Sequence, residues 1–459
     1  MSPPRRLRGR SRVLWAAAAL ALLAALAAGA VLAARGRGAE RWSTESETAR
    51  AELEAGVEAV QKLYTNDAVR HFEAALAADP DFLVAKVLLV RYGYLLGDRG
   101  RVERLVEDLR AADLAAVAPR EQLLVRYLLA RVDRRADDAR ELLADYLGEH
   151  PDDPWAVDLE CGDAWGAGDW TAAKACYRRL IELDPNRVEA QNRIGYVEMA
   201  EGDFGEAEAQ FQIYRFLAPE QANPHDSMGE LMLLTGRYDE AEAELRRALE
   251  LRPDFCASRL NLVVLHLVRH DFAGAEEAVA AATAAGGCPP GVLARQPCSI
   301  ALWRHLHAGR FSAAWDAAHG CGELPVDLDM AYFAAAAAGR RDETVALVEA
   351  LRREAAGQDS EYGEGHPWLH HLEAVDAWFA GDPAAAAEHG LMADAGLLYW
   401  TGQWLFKLQN RRLTAAALEA AGRQDDAAAL RSEVRAVHPQ LLDDPPYPLP
   451  APAAAAGVP

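Results

Sequence analysis

Catalytic signatures are missing from this chain. It contains no Gly-rich phosphate loop, no Gly-x-Ser-x-Gly elbow and no His-Glu-x-x-His. Cys-x-x-Cys is absent too, which removes the zinc-ribbon, thioredoxin-type and c-type haem readings of its six cysteines. Basic charge is scarce: 48 Lys and Arg stand against 70 Asp and Glu, for a net charge of −22. No basic patch gathers after the N-terminus, so a nucleic-acid partner is excluded, because displacing counterions needs clustered Lys and Arg. A second long apolar run is lacking as well, which rules out a polytopic transporter.

The N-terminus carries the first positive signal. Arg5, Arg6, Arg8, Arg10 and Arg12 precede an uncharged stretch, residues 13–34. As a helix rising about 1.5 Å per residue, that stretch crosses the hydrocarbon core. Alanine dominates it, so Leu14, Leu20, Leu22, Leu23, Leu26 and Leu32 must drive insertion. The span exceeds the usual core of a cleaved signal peptide, which favours a retained anchor, although Ala28-Gly29-Ala30 offers a cleavage site. More arginines lie before the span than after it, which keeps residues 1–12 cytoplasmic and sends the rest across the membrane. A polar linker, residues 35–48, follows, with Thr44-x-x-Glu47 as a capping box for the first helix.

Periodicity then organises the chain. Pro151, Pro185, Pro219 and Pro253 share a fixed step, as do Ala139, Ala173, Ala207, Ala241 and Ala275. Trp170, Phe204, Tyr238 and Phe272 keep the same step, with Gly168, Gly202 and Gly236 two residues before the first three. Each class has a physical role. Glycine turns the chain between two helices, alanine lets them approach closely, and proline stops the second helix. Gly195 and Gly229 are expected to face the alanines Ala207 and Ala241 across each pair. A helix pair cannot bury its apolar faces alone, and stacking buries them.

This pattern resembles the tetratricopeptide repeat. Residues 154–187, 188–221 and 222–255 carry it clearly, 256–289 carries it without the proline, and 49–82 carries it through Gly56, Ala68, Phe72, Ala75 and Pro80. The resemblance implies an all-α, right-handed superhelical solenoid of roughly ten or eleven antiparallel helix pairs. It divides the chain into an N-terminal array (49–287), a degenerate array (288–439) and a disordered Pro- and Ala-rich tail (440–459). The Gly286–Gly291 loop marks the bend between the arrays. In that family four positions of each repeat line the concave face. Here they include Trp155, Asp158 and Trp165, then Glu189, Asn192 and Tyr196, then Asn223, Asp226 and Glu230. Carboxylates, amides and aromatics together suit a neutral or basic peptide segment.

The remaining chemistry is sparse. Cys288 and Cys298 flank a short loop and form the candidate disulfide, whereas Cys161 and Cys176 read as buried thiols on one helix pair. His266 and His270, and the group His366, His370 and His371, show no convergence in sequence, so no metal or other cofactor is expected. The repeats leave no stretch for a catalytic domain, so an enzyme is not expected either. The expectation is a membrane-tethered, extracytoplasmic scaffold that binds a protein or peptide in its groove. An assembly chaperone for a secretion or envelope complex is the alternative.

Overall fold

The computed structural model describes residues 42–93, 99–322, 326–340, 342–345, 348–349, 366–399 and 404–452. The basic N-terminus and the expected membrane span lie outside the described residues. Among the described residues there are α-helices, one short 3-10 turn and no strand, and no helix is long and apolar enough to cross a membrane.

One turn geometry recurs throughout. Gly168, Gly202, Gly236, Gly309, Gly339, Gly381 and Gly422 all have positive φ, and so do Leu63, Arg134 and His270. In each case the N–H that follows donates back to a carbonyl five residues earlier, as from Asp203 to Glu198 at 2.9 Å and from Arg237 to Met232 at 2.8 Å. This left-handed close satisfies orphan carbonyls at the helix end. Arg134, Gly168, Gly202, Gly236 and His270 thus occupy one structural position at a constant spacing, although only three are glycine.

In eight of these ten turns the next residue starts the second helix in one of two ways. Asp169, Asp203, Asp271 and Asp382 accept a hydrogen bond from the backbone N–H three residues on. Arg135, Arg237, Arg340 and Arg423 instead reach an acid three residues on, for instance Arg237 to Glu240 at 2.6 Å. The first device satisfies a donor, and the second sets an acid in the first turn where the helix dipole favours it.

The described residues form two compact units, one within 1–56 and 69–157, the other within 57–68 and 158–459. In the first, Leu53, Phe72, Phe82, Leu109 and Leu143 are buried. Gly56 lies flat on Phe72, where a Cβ would come within 2.3 Å of the ring. Ser46, not Thr44, caps the first helix: its Oγ accepts from the Ala49 N–H at 3.1 Å, while the Thr44 hydroxyl donates to Asp79 at 2.5 Å. Thr44 stands too far before the helix, which begins at Glu47, to meet its first amides.

In the second unit the periodic alanines Ala173, Ala207, Ala241 and Ala275 are fully buried. Both glycines lie nearest the large residues one turn beyond the alanines. The atoms nearest Gly195 all belong to Phe211, contrary to expectation, while a Cβ at Gly229 would also come within 3.4 Å of the Ala241 carbonyl, in line with it. A Cβ at Gly195 would sit 2.5 Å from the Phe211 ring, and one at Gly229 would sit 2.8 Å from Leu245. The missing side chain makes room for a bulky neighbour. One apolar core runs from Met199 to Tyr447 and takes residues from both sides of Gly286–Gly291.

Residues 440–452 are not a free tail, contrary to expectation. Leu441 and Tyr447 are buried, and the Trp378 indole N–H donates to the Pro450 carbonyl at 2.9 Å. The segment offers apolar anchors between its prolines, and those decide its placement. Residues 453–459 lie outside the described residues.

Candidate partner-binding face

The inward positions are largely engaged with the chain itself. Trp155 belongs to the first unit, half-buried and edge-on to Trp42 at 5.1 Å between ring centroids. The other eight belong to the second unit. Arg187, itself buried, places its guanidinium 3.8 Å from both Asp158 and Glu189. Burial nevertheless pushes the Glu189 carboxyl up to about 7, against the pull of Arg187. Trp165 packs edge-on to Trp170 and Tyr177, and the Arg193 guanidinium covers its ring at 5.2 Å.

Asn192, Asn223, Asp226 and Glu230 are buried, between 1% and 4% exposed. Their bonds run between successive repeats. The Tyr196 hydroxyl donates to Glu230 at 2.9 Å and lies 3.3 Å from the Ser227 hydroxyl. Burial, with Glu230 and Asp226 close by, lifts the Tyr196 phenol well above its ordinary range. Asp226 accepts from Ser258 at 2.7 Å and from Asn261 at 3.2 Å. Burial still pushes its carboxyl up to about 6, because two neutral donors do not replace water around a charge. Asn223 donates to the Tyr214 hydroxyl at 3.1 Å. Two acceptors are left over: Asn192 Oδ1 and Glu189 Oε2 are buried without a hydrogen-bond donor.

Sequence reasoning overlooked Ser227, Ser258, Asn261 and Arg187. Ser227 and Asn261 are one period apart, so the repeat itself carried that signal. It also overlooked an exposed apolar patch on the helix Phe204–Leu217, where Ile213 and Leu217 are exposed and Phe216 is 83% exposed.

The cysteines pair differently from expectation. Cys288 bonds Cys256 and Cys298 bonds Cys321, with Cα separations of 4.9 and 6.0 Å. Gly287 lies against the Asp254 carbonyl, which sets Cys288 beside Cys256. Cys298 sits well inside the helix Pro290–His307, carried away from the loop. Cys161 and Cys176 are not thiols but a third disulfide, across one helix pair.

The histidines also separate. His266 pairs with Asp271 at 2.9 Å, and His270 stacks on His307 with its Nε2 3.2 Å from Asp444. His366 caps its helix, and His371 is buried against Asn410. Only His370 of that group meets another histidine near a carboxylate, His389 beside Glu373.

Among curated proteins nothing matches the chain. Similarity to solved structures is distant. PilW, a widely conserved type IV pilus biogenesis factor, is 16% identical, with 42% of this chain and 86% of that one covered and a TM-score of 0.34. A tetratricopeptide repeat protein from Parabacteroides merdae ATCC 43184 is also 16% identical, covering 59% of this chain and 91% of its own, with a TM-score of 0.33. A thermophilic tetratricopeptide repeat protein from Thermus thermophilus is 21% identical, covering 48% and 99%, with a TM-score of 0.27. A family model does match, at residues 163–222 and 233–288, about a quarter of the chain. The left-handed turns and buried alanines keep step across those two stretches, which match the tetratricopeptide repeat model.

Proposed function

We propose that the chain is a membrane-tethered scaffold whose repeats hold a protein or peptide partner outside the cytoplasm. The observation that carries the binding face is the pair of unused acceptors, Asn192 Oδ1 and Glu189 Oε2, buried beside the fully satisfied network of Tyr196, Asp226 and Glu230. A buried acceptor without a donor is costly, and a partner's backbone amide or basic side chain relieves that cost. The acidic surroundings favour such a donor, consistent with a neutral or basic segment. Pairing of all six cysteines supports an oxidising compartment, which agrees with export of the array behind the 13–34 anchor.

The test is a pull-down from detergent-solubilised membranes with the unaltered chain and an Asn192→Leu, Glu189→Gln variant. Loss of the recovered partner at unchanged helicity supports the face. Equal recovery moves binding elsewhere, with Phe216→Ala as the next variant to try. A reporter that is active only after export, fused beyond residue 452, reads the topology.

A further inference from the structure

We propose that His370, Glu373 and His389 bind a divalent transition metal ion of the zinc class, clipping two helices together. His370 and Glu373 lie three apart on the helix Pro367–Phe379, so they share a face. His389 comes from the next helix, Pro383–Gly396. Both imidazoles bring the same ring nitrogen to one carboxylate oxygen. His370 Nδ1 is 3.0 Å and His389 Nδ1 is 3.1 Å from Glu373 Oε2. All three ligand atoms fall within 4.8 Å of one another.

The separations fit a shared ion. Zinc bonds of about 2.0–2.2 Å place neighbouring tetrahedral ligands about 3.3–3.5 Å apart, close to the two histidine–Glu373 distances of 3.0 and 3.1 Å. His389 Nδ1 adds an independent sign: it approaches Glu373 yet makes no well-formed hydrogen bond. Contact without hydrogen-bond geometry is expected where an ion, not a proton, belongs between the atoms. The side chains are 19%, 32% and 33% exposed, so a hydrated ion can reach them.

The fold holds the ligands in place. His371, next to His370, is locked by its Nδ1 to Asn410 Oδ1 at 2.9 Å, and Asn410 donates in turn to the Gly390 carbonyl at 2.9 Å. Those bonds fix the rotation of the first helix and the height of the second, one residue from His389. Two imidazoles and one carboxylate leave a fourth position for water or a partner's side chain.

The experiment uses the full chain, purified without a polyhistidine tag and stripped with chelator. Cobalt is titrated by its visible absorption and then displaced by zinc. One equivalent of each should bind. His389→Gln and His370→Ala should each weaken binding by more than the roughly 10–100-fold seen on removing an outer hydrogen-bond partner of a metal ligand. His266→Ala should bind as the unaltered chain does. X-ray absorption on the zinc-loaded, unaltered chain should show two imidazoles, oxygen and no sulfur, which keeps the proposal testable if a variant misfolds. Failure to bind an equivalent, binding that survives both histidine variants, or a first shell lacking two imidazoles would overturn it.

Discussion

The two halves of the second unit solve one packing problem with different regularity. From residue 168 to 270 the left-handed turns recur at a constant spacing; beyond it, they fall at 309, 339, 381 and 422, with uneven gaps. The turn survives where the period does not. What stacking demands is a sharp close and a small residue at the crossing, and helix length is free to vary. The later half fills its looser frame with bulk: Trp303, Trp315, Trp378 and Trp404 are buried there, whereas Phe211, Leu245 and the alanines serve the periodic half. Regular spacing is a sequence property of the first half, and the shared core belongs to both.

The largest expected effects test that shared core. Phe211→Ala and Trp378→Ala should each cost about 3–5 kcal/mol and shift the same unfolding transition in denaturant. Two separate transitions, each sensitive to one variant, would break the comparison. Removing the Cys256–Cys288 disulfide with paired serines should cost roughly 2–4 kcal/mol, read as a lower denaturation midpoint.

Protonation sets the halves against each other. Asp226, in the periodic half, has its carboxyl raised from 3.8 to about 6 in the folded chain. Between those values the folded state holds the extra proton, so this group's effect lowers stability as pH rises. Burial lowers His371, in the later half, from 6.5 to about 4. There the unfolded state holds the extra proton, so stability is lost as pH falls through that window. Each slope is worth at most about 3 kcal/mol. Asp226→Asn should remove the first and His371→Gln the second, as measured by melts across that range. A profile unchanged by both would contradict the burial of these groups.

Smaller effects sharpen the turn comparison. Gly195→Ala should cost roughly 1–3 kcal/mol, since its methyl meets the Phe211 ring. Arg134→Gly should be neutral or stabilise slightly, by up to about 1 kcal/mol, because only glycine holds a positive φ without strain.

Much of the periodic half was legible because glycine, alanine and proline report backbone needs directly. Arg134 and His270 escaped notice because the turn tolerates a strained residue that composition does not flag. The disulfides were misassigned because pairing depends on Cα approach across loops, and nearness in sequence is a poor guide to that. The groove residues were chosen by phase, which gives a direction and not what stands opposite, so the burial of Asn192, Asn223, Asp226 and Glu230 escaped it. His370 and His389 lie on different helices, so their meeting has no sequence signature at all. The tail was read by its prolines, while Leu441 and Tyr447 decide its place.

The turn after the first helix carries a consequence for biosynthesis. Tyr64 lies edge-on to Phe255, Asp67 pairs with Arg252 at 2.7 Å, and Asn66 donates to the Gly287 carbonyl at 3.1 Å. At translation speeds of about 5–20 residues per second, Asn66 leaves the ribosome roughly 10–40 s before Gly287 exists. None of these three contacts can form until its later partner has been made. Any factor that shields a nascent chain would therefore find its target at this first turn, long before the repeats that eventually cover it are made.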